Sequence, residues 1–480
     1  MKLSKIGFGG YRIDNRVPEH SEALYKALSK GITVIDTSSN YSDGRSEILI
    51  GNVLEEFKNQ NNFNRENLTL VTKVGYIQGQ NLKYVQKRKL SDRPFSDVIE
   101  YEDALWYCIS PDFIEDQVSR QLMRLNQINN GYIDVYLLHN PEYFLYNAQK
   151  NGLDKETSRA EFYERIKSTF KYLEELVSAG KIKSYGISSN CFTRDENQFE
   201  AVSLEKILEI ASTISTSSHF KFIELPLNLL ESDAILRKNL KQNTSSLIEF
   251  AKDNNIYVLT NRPLNAIDKS LIRLADFKFI EIPEEEIQRQ MKFIILLESD
   301  LVNEKLPSAN LNDEVKNTLK KYCNIGKTIA ENWQKFGSIE YLNDNIEYYF
   351  SPMINDLLDF IDEKVSDANF KDSFEHYLKE LFKTFNYIIN FYKSFASKRS
   401  QIFHSILNDM ISPRFHHLSL SQKVVLLITS IEGVSCTLVG MRKESYVDDI
   451  LKVFEYEPID NVENVFKRVK EEYLKLLLNK

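Results

Sequence analysis

The chain has 480 residues, of which 42% are hydrophobic and 27% charged, and this composition is typical of a globular protein with a sizeable core. Its 61 basic and 69 acidic residues include no basic tract, which argues against a nucleic-acid partner. No segment approaches the roughly 20 apolar residues of a membrane helix. The N-terminus lacks the features of a signal peptide, so we expect a cytoplasmic protein without a membrane partner.

Short β-branched runs alternate with amphipathic helical stretches through the first half of the chain. This alternation predicts parallel strands joined by right-handed crossover helices. The eight predicted strands span residues 3–9, 33–37, 68–74, 133–139, 184–188, 220–228, 256–260 and 437–440. Eight repeats predict an α/β fold, a (β/α)8 TIM barrel, whose catalytic groups lie at the C-terminal ends of the strands. The alternative is a doubly wound Rossmann sheet, but the segment from Gly7 to Arg12 lacks the spacing Gly-x-Gly-x-x-Gly.

The alternation stops from about Asp268 to Pro413, where helical periodicity replaces it. We therefore predict barrel strands one to seven in residues 1–267 and a large α-helical insertion in residues 268–413. Residues 414–480 then hold the last barrel helix, the eighth strand and the C-terminal helices. Because the insertion follows the seventh strand, it leaves the barrel from the catalytic face, and we expect it to cover that face or to form an oligomer interface.

A second long loop is predicted for residues 75–110, after the third strand and on the same face. Its aromatic pair, Trp106 and Tyr107, either lines a substrate pocket or packs against the insertion. The sequence leaves both roles open.

Four polar residues are predicted to converge at the ends of strands two to four: Asp36, Tyr41, Lys73 and His139. Asp36, Lys73 and His139 each terminate an apolar run, and Tyr41 follows Asp36 closely. An ammonium within hydrogen-bond reach lowers the pKa of a phenol, so Lys73 is expected to activate Tyr41. A buried ammonium itself needs an anion, which Asp36 supplies. A neutral imidazole at His139 would then bind a substrate oxygen, and together these residues predict an acid/base site.

At these residues the sequence resembles the aldo-keto reductase superfamily, whose barrel carries an Asp, Tyr, Lys and His tetrad in this order. The resemblance rests on residues 7–11, 35–47, 133–139 and 180–190. It implies an NAD(P)H-dependent oxidoreductase that interconverts a carbonyl (aldehyde, ketone or sugar) and its alcohol, with Tyr41 as the proton donor. It leaves the insertion uncovered and does not name the substrate.

The resemblance also implies an extended cofactor across the barrel mouth. Ser188 and Asn190 are the candidates to hold the nicotinamide carboxamide, and Arg442 the candidate for a 2′-phosphate. NADP is favoured and NAD stays possible, because the residues after Arg442 depart from the family pattern. Arg262 stands where the family often has an aromatic residue, and it contacts the cofactor or pairs with a carboxylate of the insertion. The full predicted set of cofactor-binding residues is Gly10, Tyr11, Asp36, Ser188, Asn190, Arg262, Leu264, Arg442, Tyr446 and Asp449.

Two further features are interpreted as structural. Glu224 aligns with a family glutamate that is usually structural. The pair His416-His417 lacks further ligands at useful spacing, so no metal is predicted.

The alternative to an enzyme is a non-catalytic nucleotide-sensing or partner-binding protein on the same barrel. In that case the helical insertion would serve as the docking surface. Tyr41 and His139 together argue against it, since nucleotide sensing alone does not require both.

Overall fold

The structure is a computed structural model that describes residues 3–61, 63–126, 131–268 and 270–478. Its internal contacts divide the chain into two compact units. The first contains Met1–Ala266 and Met410–Lys480, and the second contains Ile267–Asp409. The predicted domain limits stay a prediction, and their outer ends at residues 1 and 480 lie outside the described residues.

The first unit is built on a closed barrel of eight parallel strands. In chain order, the barrel strands are Ile6–Gly9, Val34–Asp36, Thr69–Val74, Ile133–His139, Ile182–Ser188, Phe220–Pro226, Tyr257–Asn261 and Val434–Val439. Each strand pairs with the strands that precede and follow it, and the eighth closes on the first. The predicted α/β fold, a TIM barrel with a helical insertion, is confirmed.

Apolar side chains fill the barrel interior, as expected where parallel strands are buried on both faces. This cluster consists of Val34, Val71, Val135, Leu137, Phe222, Leu259, Cys436 and Leu438. Close strand packing explains the glycine in the fifth strand, because a Cβ on Gly186 would lie 1.9 Å from the carbonyl oxygen of Phe222.

Helices connect the barrel strands and cover their outer face. The α-helices of this unit are Pro18–Ser29, Arg45–Gln60, Gly79–Leu90, Pro111–Arg124, Tyr143–Lys150, Lys155–Ser178, Leu204–Ile214, Asp233–Leu236, Leu247–Asp253, Leu420–Thr429, Glu444–Leu451 and Val462–Leu478. Short 3-10 turns span Tyr41–Gly44, Arg65–Asn67, Pro413–Phe415 and Lys452–Glu455. Ser246 and Ser419 begin their helices with capping boxes, completed by Glu249 and Gln422.

The predicted loop at residues 75–110 is wrong, because this segment is mostly regular structure. It contains the helix Gly79–Leu90 and three antiparallel strands, Tyr76–Ile77, Ile99–Glu102 and Leu105–Tyr107. Tyr107 is fully buried and stacks on Tyr143 with ring centroids 5.8 Å apart. Its strand pairing and burial give the segment a core that a solvated loop lacks.

The second unit is helical, as predicted for the insertion. Its helices are Glu284–Asp300, Leu301–Lys305, Leu306–Ser308, Asp313–Tyr322, Ile325–Asn332, Ile339–Asn345, Ile346–Phe350, Ser351–Lys364 and Ala368–Met410, the last of which ends one residue past the limit of the unit. The short strand Asn265–Asp268 spans the first limit of the unit in the chain, and the strand Ser270–Arg273 follows it. Buried Glu298 accepts hydrogen bonds from the backbone N–H groups of Gly326 and Lys327 and thereby caps the helix Ile325–Asn332. Among the helices that the structure describes, none is long and apolar enough to cross a membrane.

Candidate active site

The four predicted acid/base residues meet at one end of the barrel. Asp36 and His139 are the last residues of their strands, and Lys73 lies one residue before the end of the third strand. Tyr41 begins the short turn Tyr41–Gly44, five residues after Asp36. All four side chains are buried, so electrostatic interactions among them are screened far less than at the surface.

Lys73 is the centre of this group. Its ammonium forms an ion pair with Asp36 and donates a hydrogen bond to the backbone carbonyl of Thr37 at 3.1 Å. It also lies 3.4 Å from the hydroxyl of Tyr41, within reach of a hydrogen bond. A second carboxylate, Glu224, pairs with Lys73 at 3.3 Å. One cation therefore contacts a phenol and two carboxylates.

Glu224 is predicted from the sequence to be structural. In the structure it pairs with Lys73, and its structural role stays a prediction. Its Oε1 accepts a hydrogen bond from the side-chain amide of Asn261 at 2.7 Å, so the sixth and seventh strands orient the carboxylate together. The signal available in the sequence was a glutamate inside the otherwise apolar run from Phe222 to Leu225. A charge in such a run requires a buried partner, but only the closed barrel identifies that partner as Lys73.

Burial decides the protonation of Tyr41. Loss of hydration raises the pKa of its phenol well above the ordinary value, and the charge of Lys73 opposes this rise only in part. The prediction of a lowered pKa was therefore wrong. Burial alone would lower the pKa of Lys73, but Asp36 and Glu224 raise it above the ordinary value. The phenol is thus protonated and the lysine charged at neutral pH.

His139 lies beside Tyr41, with ring centroids 5.8 Å apart. Burial and the nearby charge of Lys73 hold the pKa of this imidazole well below its ordinary value, so the ring is neutral, as expected. Nδ1 lies 3.1 Å from the hydroxyl of Ser38. The ring also contacts Tyr76 edge to face at 4.7 Å between centroids. Tyr76 belongs to the segment first predicted as a loop.

Gly10 and Tyr11 follow the first strand at the same barrel end. The backbone N–H of Gly10 donates to the carbonyl of Asp36 at 2.8 Å, and the hydroxyl of Ser46 donates to the carbonyl of Gly10 at 2.8 Å. Tyr11 is 63% exposed and packs edge to face on Tyr41 at 5.1 Å. The structure thus places an exposed aromatic ring directly beside the phenol of Tyr41.

Ser188 and Asn190 lie at the end of the fifth strand, next to both His139 and Glu224. In the strand register, Ser188 is the partner of His139 on one side and of Glu224 on the other. Asn190 has an exposed side chain, and its backbone N–H donates to Oε1 of Glu142 at 2.9 Å. Burial raises the pKa of Glu142 to about 7. Sequence reasoning missed Glu142, which lies only three residues after His139.

Arg262 and Leu264 follow the seventh strand, and both are half-buried. The guanidinium of Arg262 pairs with Glu231 at 2.5 Å, so its carboxylate partner lies in the barrel unit and not in the insertion. Arg262 has a φ of 51°, a left-handed conformation that is costly for a residue with a side chain. Burial lowers the pKa of this guanidinium, and the neighbouring Glu231 and Tyr11 oppose that shift.

Arg442, Tyr446 and Asp449 follow the eighth strand. Arg442 is half-buried, and its charge contributes to lowering the pKa of His20, after burial of that imidazole. Tyr446 is exposed on the helix Glu444–Leu451. Asp449 accepts a hydrogen bond from the side-chain amide of Gln422 at 3.0 Å. Asp449 therefore has a hydrogen-bond partner within the barrel unit, whereas Arg442 and Tyr446 lie at the surface of that unit.

With this geometry in view, the comparison with known proteins identifies the family. The sequence model of the Aldo/keto reductase family matches residues 5–273. The chain belongs to the aldo/keto reductase family. Among solved structures, the holo form of an aldo-keto reductase from Bacillus halodurans aligns with a TM-score of 0.47 at 14% identity, over 98% of this chain and 92% of that chain.

Curated relatives of this aldo/keto reductase match part of the chain. The NADH-specific methylglyoxal reductase of Escherichia coli is 27% identical over 195 residues, which cover 39% of this chain and 48% of that protein. The NAD(P)H-dependent D-xylose reductase of Scheffersomyces stipitis is 26% identical over 200 residues, which cover 39% of this chain and 49% of that protein. The chain thus spans about half the length of these two curated relatives.

The two adjacent histidines of this aldo/keto reductase have separate protein partners. His416 contacts the carbonyl of Ile411 through Nε2 at 3.1 Å, and His417 contacts the hydroxyl of Tyr456 through Nε2 at 2.9 Å. Within the described ranges, no group of three or more His, Cys, Asp or Glu side chains is arranged to hold a metal ion.

Proposed function

We propose that this protein is an NAD(P)-dependent oxidoreductase that reduces a carbonyl to its alcohol, or oxidises the alcohol, with Tyr41 as the acid/base. The observation that carries the proposal is the 3.4 Å contact between the phenol of Tyr41 and the ammonium of Lys73. A phenol of raised pKa stays protonated at neutral pH and is ready to donate. When its proton leaves, the adjacent ammonium stabilises the phenolate.

His139 is proposed to orient the substrate. Its ring is neutral and lies beside Tyr41, so an Nε2–H can donate a hydrogen bond to the substrate oxygen while Tyr41 delivers the proton. The substrate oxygen would then be held by two donors, one in the turn after the second strand and one at the end of the fourth strand.

The barrel mouth suits a nicotinamide dinucleotide, for which we propose NADP, with NAD as the alternative. Asn261 Oδ1 and Arg262 Nε are buried and lack hydrogen-bond partners among the described residues, so this rim has unmet polar groups. A Cβ built on Gly440 meets nothing within 4 Å, which indicates open space after the eighth strand. Ser188 and Asn190 would hold the carboxamide and Arg442 a 2′-phosphate. When bound, the reduced nicotinamide supplies the hydride.

We propose an aldehyde, ketone or sugar as the substrate class. The names of the relatives support it, since one is a methylglyoxal reductase and another a D-xylose reductase. The rings of Tyr76 and Tyr11 flank His139 and Tyr41 respectively. These rings offer apolar surface beside the acid/base pair, which suits the carbon skeleton of a small carbonyl compound.

Tyr41→Phe tests the proposal. This substitution removes the hydroxyl and keeps the ring, so we expect turnover to fall by about 100-fold or more while NADPH binding is unchanged. Fluorescence titration with NADPH and NADH, followed by turnover on a panel of carbonyls, measures both quantities. Tyr25→Phe is the matched control, because its hydroxyl bonds Gln60 on the outer face of the barrel unit.

Undiminished turnover in Tyr41→Phe would refute the mechanism. Cofactor binding by the wild type without turnover on any carbonyl would favour the nucleotide-sensing alternative.

A further inference from the structure

Two loops at the catalytic end of the barrel are hydrogen-bonded to each other. The first loop follows the fourth strand and begins at Asn140, next to His139, and the second follows the fifth strand and contains Asn190. The backbone N–H of Asn140 donates to the carbonyl of Ser188 at 2.7 Å. In the opposite direction, the backbone N–H of Asn190 donates to Oε1 of Glu142 at 2.9 Å. The two loops therefore hold each other in place.

Glu142 makes its part of this connection with a buried carboxyl. The residue is 1% exposed and stands immediately before the helix Tyr143–Lys150. The hydroxyl of Ser189 and the thiol of Cys191 also interact with the carboxyl. One side chain of the first loop thus interacts with three successive residues of the second loop.

Asn190 depends on this connection more than Ser188 does. Ser188 is the last residue of the fifth strand, and its backbone is paired with the strands on both sides. Asn190 lies beyond the strand and has an exposed side chain. The position of an exposed side chain on a loop depends on the backbone that carries it, and here the backbone N–H is bonded to Glu142.

We propose that Glu142 is a positioning residue for the cofactor, because it holds the backbone of residues 189–191 so that the Asn190 amide meets the nicotinamide carboxamide. Glu142 lies three residues after His139, so the same carboxyl ties the cofactor loop to the loop of the substrate-orienting imidazole. The cofactor half of this inference rests on the proposed function, whereas the anchoring of the loop does not.

The ionisation of Glu142 adds a pH dependence to this contact. Burial raises the pKa of Glu142 to about 7, and the hydrogen bonds from Ser189, Asn190 and Cys191 oppose this rise. An ionised carboxylate accepts a stronger hydrogen bond than a carboxylic acid does. Cofactor binding favours the bonded loop and therefore the ionised carboxylate, so affinity should increase as the pH rises through about 7.

The titratable groups that surround this carboxyl stay neutral in that range, since burial raises the pKa of each. They are Tyr76 and Tyr107 from the antiparallel strands, Tyr143 and Tyr146 from the following helix, and Cys191 from the second loop. The pKa of His139 is held well below its ordinary value, so this ring is also neutral. Arg194 and Glu200, which interact with Cys191, pair with each other at 3.9 Å. A change in loop anchoring near pH 7 is therefore assigned to Glu142.

Hydrogen exchange of the full-length protein without cofactor tests the anchor. Mass spectrometry at pH 8 follows the segment of residues 186–192. Glu142→Ala should speed exchange in this segment by about 10-fold, because the N–H of Asn190 loses its acceptor. Glu142→Gln should exchange slowly, since an amide oxygen still accepts this bond. Equal exchange of the segment in the wild type and Glu142→Ala would overturn the proposal.

Glu174→Ala is the matched control for this measurement. Glu174 accepts a hydrogen bond from the backbone N–H of His219 at 2.8 Å. His219 immediately precedes the sixth strand, at the barrel end opposite to the acid/base residues. The loss of this acceptor should therefore leave exchange in residues 186–192 unchanged.

Fluorescence titration with NADPH and with NADH, between pH 6 and pH 8, tests the cofactor half. The ratio of the dissociation constants of Glu142→Gln and the wild type removes the effects of groups that titrate in both proteins. We expect a ratio near one at pH 6 and of about 3 or more at pH 8, because only the wild type then has a charged acceptor. Since Glu142→Gln should not be less stable than the wild type at pH 8, a purely structural role would not produce this ratio.

Each outcome decides one half of the inference. A ratio that does not change with pH would refute the role of Glu142 in cofactor binding, and this test does not depend on whether Glu142→Ala folds. A wild type that binds neither dinucleotide would refute the proposed function and the cofactor half together. Hydrogen exchange would then decide the anchoring of the loop by itself.

Discussion

Replacing Lys73 by Met tests how the barrel tolerates its buried carboxylates. Methionine has a similar length, so the change removes the charge of this buried side chain with little change in packing. Asp36 and Glu224 then lack their cation. Breaking a buried ion pair by removing one partner costs about 3–5 kcal/mol, and we expect this loss in the free energy of unfolding at pH 8.

The loss depends on pH with a defined sign. Burial raises the pKa of Asp36 above its unfolded value of about 4, and removal of Lys73 takes away the charge that opposes this rise. The contribution of Asp36 to stability is therefore retained below about pH 4 and lost as the pH rises through the folded-state pKa. Each extra proton held by the folded variant adds about 1.4 kcal/mol of destabilisation per pH unit.

Urea unfolding at pH 5 and pH 8 measures this dependence. Of the two tryptophans, Trp106 lies in the barrel unit and Trp333 in the helical unit. In a Trp333→Phe background, tryptophan fluorescence therefore reports the unfolding of the barrel unit alone. Lys183→Met is the control, because Lys183 pairs with Asp134 at 3.5 Å while its side chain is 43% exposed, and such pairs contribute about 1 kcal/mol or less. A Lys73→Met loss below about 1 kcal/mol, or an equal loss at both pH values, would refute the reasoning.

Two further predictions follow from packing and burial in the barrel unit. Gly186→Ala should destabilise it by about 1–3 kcal/mol in urea unfolding, because the new methyl group would overlap the carbonyl of Phe222, 1.9 Å away; an unchanged midpoint would contradict this. Glu142→Gln should be more stable than the wild type at pH 8 but not at pH 5. The raised pKa of Glu142, about 7, means that its stabilising contribution is lost as the pH rises through that value, whereas glutamine does not titrate and still accepts from Asn190. Thermal unfolding at both pH values checks it, and a pH-independent difference would count against it.

The barrel could be predicted from the sequence because the patterns that indicate its strands are local. Each of the eight apolar runs is short and β-branched, and the runs at Asp36 and His139 end in polar side chains that mark the C-terminal strand ends. The third strand shows the limit of this precision, since Lys73 is followed by one more strand residue, Val74. The convergence of these strand ends follows from the parallel topology alone, so the four candidate acid/base residues were identified from the sequence.

Local signals failed where the partner was distant in the chain. The segment at residues 75–110 was predicted as a loop, although antiparallel pairing of three short strands orders it. The contact of Glu224 with Lys73 joins residues 151 positions apart, so the sequence alone does not identify this ion pair. The pKa of Tyr41 was predicted in the wrong direction because a neighbouring lysine can be inferred from the sequence, but the loss of hydration around the phenol cannot. The sequence by itself determined the strands, their order and the residue types at their ends. Only the closed barrel decided which charges meet and how far water is excluded, because both depend on side chains that several strands bring together.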